Sequence, residues 1–122
     1  MSNRQALSIR AFIGSKNYET SRDFYRELSF EEGIISPKMS LFTSSTVSFY
    51  LQDYYVKEWI ENSMLLLEVE DVETYWNSLQ KLELEKRYPG VRLIPIQEND
   101  WGKECLFVDP AGVLWHVAQF HS

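Results

Sequence analysis

The feature that most constrains the fold of this 122-residue chain is an internal repeat. The short apolar segment Ile9–Ile13 precedes Asn17 and a helical pattern, and Met64–Val69 precedes Asp71 and a similar pattern. Asn17 and Asp71 lie 54 residues apart, and the Glu, Thr and Leu of the two helical patterns share that spacing. Asn and Asp are good helix N-caps, and a Glu in the first turn suits the positive helix end. Each half therefore predicts a strand, a cap and a helix, which indicates a duplicated unit.

Three short strands are predicted after each helix. They are Glu31–Ile35, Lys38–Thr43 and Thr46–Gln52 in the first half, and Val91–Glu98, Glu104–Val108 and Val113–Phe120 in the second. The clearest turn between them is Asp109-Pro-Ala-Gly112, because Pro fixes φ and Gly permits a positive φ. The sequence therefore predicts one α+β domain of two βαβββ modules in tandem, whose curled mixed sheets form a cleft. The first module covers about 5–52, a linker 53–62, and the second module about 63–120.

The composition excludes several classes of function. With only Cys105 as cysteine, and His116 and His121 as histidines, the chain can form neither a disulfide framework nor a multi-histidine metal site. The net charge of −6 argues against a nucleic-acid groove. We find no signal peptide and no apolar run long enough to cross a membrane. We therefore expect a cytoplasmic protein with neither a nucleic-acid nor a membrane partner.

Two motifs add to the repeat. One is DWGKECLFVDPAGVLWHVA over residues 100–118, and the other is Phe24-Tyr25 followed by Leu28-Ser-Phe30. With the tandem modules, they resemble the vicinal oxygen chelate superfamily of glyoxalases, extradiol dioxygenases and bleomycin-resistance proteins. The first motif is most similar to the bleomycin-resistance branch, and Ser29 stands where the family usually has Gly. The resemblance implies a homodimer in which both chains line each cleft.

Metal-dependent members of that family carry ligands on the first and last strands of each module, facing the cleft. Strand alternation predicts that Ile9, Ala11 and Ile13 face the helix, which leaves Arg10 and Phe12 toward the cleft. The same reasoning places three further sets of residues on the cleft face: Met64, Leu66 and Glu68; Ser48 and Tyr50; and Leu114, His116 and Ala118.

The resemblance therefore places four residues at the metal-ligand positions, namely Arg10, Tyr50 (or Ser48), Met64 and His116. A guanidinium cation and a thioether beside one imidazole do not make a divalent metal site. We expect no metal and no other cofactor.

Nine residues are expected to contact a small-molecule ligand: Trp101, Arg10, Phe12, Tyr50, Met64, Leu66, Glu68, Glu104 and His116. Trp101 lies in a polar loop and suits stacking, whereas Trp115 and Trp76 are expected in the core. Arg10 either pairs with Glu68 or receives an anionic ligand group.

The predicted function is binding and sequestration of a small organic molecule, drugs and antibiotics included, without metal catalysis. The alternative is a glyoxalase-like lyase or isomerase, or a dioxygenase relative, with an atypical metal site. A metal-free enzyme is a third reading, with His116 as general acid or base and Arg10 stabilising an oxyanion. A sensor or partner-binding module is a fourth.

Overall fold

The computed structural model describes residues 4–121, which form two four-stranded mixed sheets and four helices. The first half contains β1 (Phe12–Ile13), α1 (Tyr18–Glu27), β2 (Glu31–Ser36), β3 (Met39–Ser44) and β4 (Val47–Gln52). After α2 (Lys57–Glu61), the second half contains β5 (Met64–Glu68), α3 (Val72–Lys81), α4 (Leu84–Arg87), β6 (Arg92–Asn99), β7 (Gly102–Val108) and β8 (Leu114–Phe120).

The two sheets share one topology. Their strand orders are β1-β4-β3-β2 and β5-β8-β7-β6. In each sheet the first strand pairs parallel with the last, and the remaining pairs are antiparallel. The predicted α+β fold of two tandem βαβββ modules is therefore confirmed.

Both predicted caps begin a helix. The Asn17 side chain accepts a hydrogen bond from the backbone N–H of Thr20, and Asp71 accepts from Glu73 and Thr74. These bonds satisfy backbone donors that have no partner inside the helix. The duplicated cap thus fixes where the chain turns from a sheet edge into the helix covering that sheet.

The aromatic core joins the two modules. Phe24 and Tyr25, on the buried face of α1, are fully excluded from solvent. The Tyr25 ring centroid lies 4.9 Å from that of Phe49 on β4 and 5.9 Å from that of Trp115 on β8. Helix α1 therefore contacts both sheets, and many of the aromatic side chains of the protein pack in this core. The predicted core position of Trp115 is confirmed.

Asp109, in the turn between β7 and β8, anchors the second module to α1. It is fully buried, and its Oδ1 accepts hydrogen bonds from three backbone N–H groups of the turn. Its Oδ2 accepts the Tyr25 hydroxyl at 2.6 Å, and the Tyr25 oxygen accepts the indole N–H of Trp115 at 3.0 Å. Burial raises the pKa of Asp109, and these hydrogen bonds act in the opposite direction.

The first strand is shorter than expected. Its pairing with β4 is confined to Phe12 and Ile13, whereas β5 pairs with β8 over five residues. The chain before residue 11 leaves the sheet, so the expectation that Ile9 faces the helix is wrong, and its side chain is 97% exposed. Ile13 is buried as expected, and Ala11 is half-buried.

Two short helices are additional to those predicted. Helix α2 lies in the linker and buries the side chain of Ile60. Helix α4 lies in the second half and buries the side chain of Leu84. Neither helix has a side-chain hydrogen bond at its N-cap. Within residues 4–121, the helices are too short and too polar to cross a bilayer.

Candidate ligand-binding site

The second sheet carries a pocket on the face opposite its core side. Strand alternation turns Leu66 and His116, which are paired neighbours on β5 and β8, toward this face, while Trp115 and Val117 face the core. The pocket has a volume of about 500 Å³. Its lining contains five of the nine predicted residues and two others: Met64, Leu65, Leu66, Trp101, Glu104, His116 and Phe120. We call it the sheet-two pocket.

Trp101 forms one wall because of the hairpin between β6 and β7. Asn99 pairs with Gly102, which leaves Trp101 in a two-residue turn. A Cβ on Gly102 would lie 2.1 Å from the carbonyl oxygen of Gln119, so only Gly permits β7 to approach β8 this closely. The Trp101 ring centroid lies 5.1 Å from that of Phe120, and both rings remain partly exposed.

Glu104 and His116 form a polar pair in the pocket wall. They are diagonal neighbours on one face of β7 and β8, since Glu104 pairs with Ala118 and Leu106 with His116. The Nδ1 of His116 lies 2.8 Å from Oε1 of Glu104. An ionised carboxylate can only accept, so Nδ1 is the donor in this pair, and Nε2 is the ring nitrogen outside it. The two side chains are only 25% and 15% exposed.

A second group of predicted residues lies on the first sheet. The rings of Phe12 and Tyr50 stack with centroids 4.7 Å apart and planes 16° from parallel. Arg10 donates a hydrogen bond to the Tyr50 hydroxyl at 3.1 Å, and its guanidinium lies over the Tyr50 ring. We call these three residues the sheet-one cluster. The structure thus gives Arg10 an aromatic partner, Tyr50, rather than Glu68, which was one of the two alternatives considered for it.

Glu68 lines a different cavity, a groove of about 920 Å³ between the two modules. The groove runs between the start of β4, at Val47, and β5, and Glu70 also lines it. Although larger, it contains neither Trp101 nor the Glu104–His116 pair. In one chain the nine predicted residues therefore lie in three places, the sheet-two pocket, the sheet-one cluster and this groove.

The residues that the resemblance places at metal-ligand positions do not fit a metal ion. Arg10 is a cation bound to Tyr50, Met64 offers a thioether, and the Nδ1 of His116 is bound to Glu104. Within the described chain, no three His, Cys, Asp or Glu side chains are grouped so as to hold a metal ion. Cys105 faces the core, where burial raises the pKa of its thiol to about 11 and keeps it protonated.

Two features of the pocket were missing from the sequence interpretation. Phe120 lies two residues after Ala118 on β8, so the alternation that placed Ala118 on the cleft face also placed Phe120 there. The pairing of Glu104 with His116 depends on the register of β7 against β8, which alternation alone does not give.

The fold is similar to those of solved structures of ligand-binding proteins. A bleomycin-binding protein in complex with bleomycin matches with a TM-score of 0.80 at 14% identity, over 95% of this chain and 100% of that one. The bleomycin-binding protein of Streptomyces verticillus, in complex with copper(II)-bleomycin, matches with a TM-score of 0.78 at 16% identity, over 96% and 98%. An antibiotic-binding protein from a Streptomyces species matches with a TM-score of 0.75 at 21% identity, over 97% and 100%.

An enzyme has the same fold. Lactoylglutathione lyase from Agrobacterium tumefaciens matches with a TM-score of 0.70 at 12% identity, over 94% of this chain and 95% of that one. No family model and no curated protein matches the sequence. The structural matches confirm the fold inferred from the repeat and the motifs.

Proposed function

We propose that this chain, which has the vicinal oxygen chelate fold of the bleomycin-binding proteins, binds and sequesters a small organic molecule, of the drug or antibiotic type, without metal catalysis. The observation that carries this proposal is the sheet-two pocket. There Trp101 and Phe120 present partly exposed rings beside Met64 and Leu66, and the pocket wall, within residues 4–121, contains only one imidazole, that of His116, and one carboxylate, that of Glu104.

Binding relies on stacking and on apolar contact. A flat ring system placed against Trp101 and Phe120 gains aromatic contacts worth about 0.5–1.5 kcal/mol each beyond the area that it buries. Met64 is mostly exposed and flexible, so it adapts to ligands of different outline. Sequestration requires no chemical step, which agrees with a pocket whose polar groups are limited to Glu104 and His116.

The proposal includes a cytoplasmic homodimer. Each cleft would combine the sheet-two pocket of one chain with the sheet-one cluster of a second copy. The separation of the predicted residues supports this arrangement, since Arg10, Phe12 and Tyr50 lie on a different sheet from Trp101 and His116 within one chain. A cation in the sheet-one cluster and a carboxylate in the sheet-two pocket are also complementary.

Titration with bleomycin, followed by tryptophan fluorescence, tests the binding function. We expect quenching with a dissociation constant at or below the micromolar range, and at least a tenfold loss of affinity in Trp101→Ala. Trp59→Ala is the matched control, because Trp59 is an exposed tryptophan on α2 outside the pocket. Absence of binding at micromolar concentrations would contradict the proposal that the protein binds bleomycin.

Elemental analysis of the purified protein separates this proposal from the lyase or dioxygenase alternative. Sequestration predicts a substoichiometric metal content that does not change the affinity for bleomycin. Stoichiometric nickel, zinc or iron, lost together in Glu104→Gln and His116→Gln, would favour the enzyme instead.

A further inference from the structure

The sheet-one cluster carries hydrogen-bond donors that have no acceptor in the described chain. Nη1 of Arg10 donates to the hydroxyl oxygen of Tyr50 at 3.1 Å, so the hydroxyl hydrogen of Tyr50 is not used in this bond and remains a donor. Within residues 4–121, neither the rest of the guanidinium nor the Tyr50 hydroxyl forms another hydrogen bond or an ion pair. The free N–H groups of Arg10 and one O–H group therefore lie side by side on this surface.

The neighbouring side chains on this face of the first sheet supply no counter-charge to Arg10. Next to Tyr50 along β4 is Ser48, whose hydroxyl is bonded to that of Thr43 at 3.0 Å, and both groups are neutral. Among the strand residues that the structure describes on this face, only Glu31 has a carboxylate, since it pairs with Thr43. Glu31 lies on β2, three strands away from β1, which is about 14 Å at the usual spacing of strands. The charge of Arg10 is therefore left unpaired by the sheet.

The stacked rings of the cluster hold these donors in place. Phe12 and Tyr50 are paired neighbours on β1 and β4, and their planes lie within 16° of parallel. This stacking fixes the ring that carries the Tyr50 hydroxyl, and the hydrogen bond to that hydroxyl fixes Arg10. Donors that are already ordered lose less conformational entropy when a ligand binds. The ring of Phe12 is still 59% exposed, so a flat group can lie against it.

We propose that Arg10 and the hydroxyl of Tyr50 bind the carboxylate of a ligand whose flat aromatic body lies against Phe12, so that the sheet-one cluster selects aromatic carboxylates over their neutral amides. The planar guanidinium donates two parallel N–H bonds to the two oxygens of a carboxylate, and Tyr50 adds a third donor. This inference rests on the proposed function and adds the anionic group that the ligand carries.

The charge of the whole protein makes such a preference informative. At a net charge of −6, the protein as a whole repels anions. A ligand that binds more tightly as a carboxylate than as an amide must therefore gain that preference from a local cation. Arg10 is a cation of this kind at the predicted ligand site.

Two probes of nearly equal shape, 2-naphthoate and 2-naphthamide, test the proposal. They share one aromatic body and differ in the charge of the head group and in its number of acceptors. Each is titrated into the full chain, and binding is followed by the NMR signals of the Arg10 Nε–H and of the Tyr50 ring. We expect naphthoate to bind at least about tenfold more tightly than naphthamide, because its hydrogen bonds to Arg10 are between opposite charges.

Variants locate the preference. Arg10→Gln removes the charge and is expected to bring the ratio of the two affinities to about one. Tyr50→Phe keeps the stacked ring and is expected to weaken naphthoate binding at least about threefold, and naphthamide binding less. Arg92→Gln is the matched control, because it removes the same charge from an exposed position on β6 and should leave the ratio unchanged. If a variant fails to fold, the ratio and the Arg10 signal of the unmodified protein still decide.

The outcomes separate this inference from the function on which it rests. Equal affinity for the two probes, or a preference for naphthoate that persists in Arg10→Gln, would overturn the inference, and bleomycin binding would then still support the proposed function. Equal affinity is also the result expected if Glu104 of a second copy pairs with Arg10. Failure of both probes and of bleomycin to bind would overturn both proposals.

Discussion

At the scale of single residues, Asp109 belongs to a motif typical of this fold and has a structural role. It belongs to the Asp-Pro-x-Gly segment that carries part of the sequence resemblance, yet it is buried away from the sheet-two pocket. Its carboxylate closes the turn before β8 and accepts the hydroxyl of Tyr25 from the other module. The motif therefore fixes how β8, and with it His116, is positioned relative to the core.

Tyr25→Phe tests this anchor. The change leaves Asp109 Oδ2 and the indole N–H of Trp115 without their buried partner, so we expect a loss of about 2–4 kcal/mol in the free energy of unfolding. Urea denaturation measures it. Tyr75→Phe is the control, because it removes the same atom from a partly buried tyrosine that forms no side-chain hydrogen bond in residues 4–121. Equal stability of the two variants would contradict the anchoring role of Tyr25.

At the scale of elements, the parts of the fold that local sequence specifies were predictable. Asn17 and Asp71 mark α1 and α3 because each cap bonds to a backbone N–H three residues or fewer away. By contrast, α4 follows Glu83 in a left-handed conformation (φ 53°) and forms because Leu84 is buried against distant residues. Such a helix depends on tertiary packing, for which the local pattern carries no information.

The contrast between features that local sequence specifies and features that depend on tertiary packing also holds for the binding site. Alternation along β8 predicted that His116 lies on the cleft face, since this needs only the period of a strand, and Glu104 was expected among the ligand contacts. Their hydrogen bond depends on a register in which Leu106 lies opposite His116. A slip of one residue would turn either side chain into the core, so the contact is a property of the paired strands rather than of either segment alone.

Gly102→Ala tests whether this register depends on the close approach of β7 to β8. The new methyl would meet the Gln119 carbonyl at 2.1 Å, so we expect a loss of at least about 2 kcal/mol in the free energy of unfolding and displacement of Trp101. Gly33→Ala on β2 is the control, since its nearest neighbour is the Leu41 carbonyl at 3.8 Å. Urea denaturation and Trp101–Phe120 NOEs report the two effects. Wild-type stability and an unchanged NOE pattern in Gly102→Ala would contradict the argument.

At the scale of the whole molecule, apolar surface remains uncovered in one chain. Leu7 is 100% exposed and Ile9 97% exposed, on a segment that leaves the sheet before β1. Phe12 and Met64, one on each sheet, are also mostly exposed. Large apolar side chains that form an exposed patch are typical of a surface that another chain covers. Leu7 and Ile9 precede Arg10 of the sheet-one cluster in the chain, and Phe12 belongs to that cluster.

We therefore expect the protein to sediment as a homodimer, at twice the 14.4 kDa mass of the chain, and the combined change Leu7→Asp and Ile9→Asp to make it monomeric. Burial of each such side chain is worth about 1.5–3 kcal/mol, and both copies lose two, which is enough to raise the dimer dissociation constant by several orders of magnitude.

Ser8→Asp adds a charge to the same segment without removing an apolar contact and should remain dimeric. Sedimentation equilibrium distinguishes these outcomes, and a wild type that is monomeric at ~100 µM would contradict the dimer. If the monomeric variant also loses affinity for bleomycin while keeping its fold by circular dichroism, the second chain contributes part of the binding site, because neither Leu7 nor Ile9 lines the sheet-two pocket.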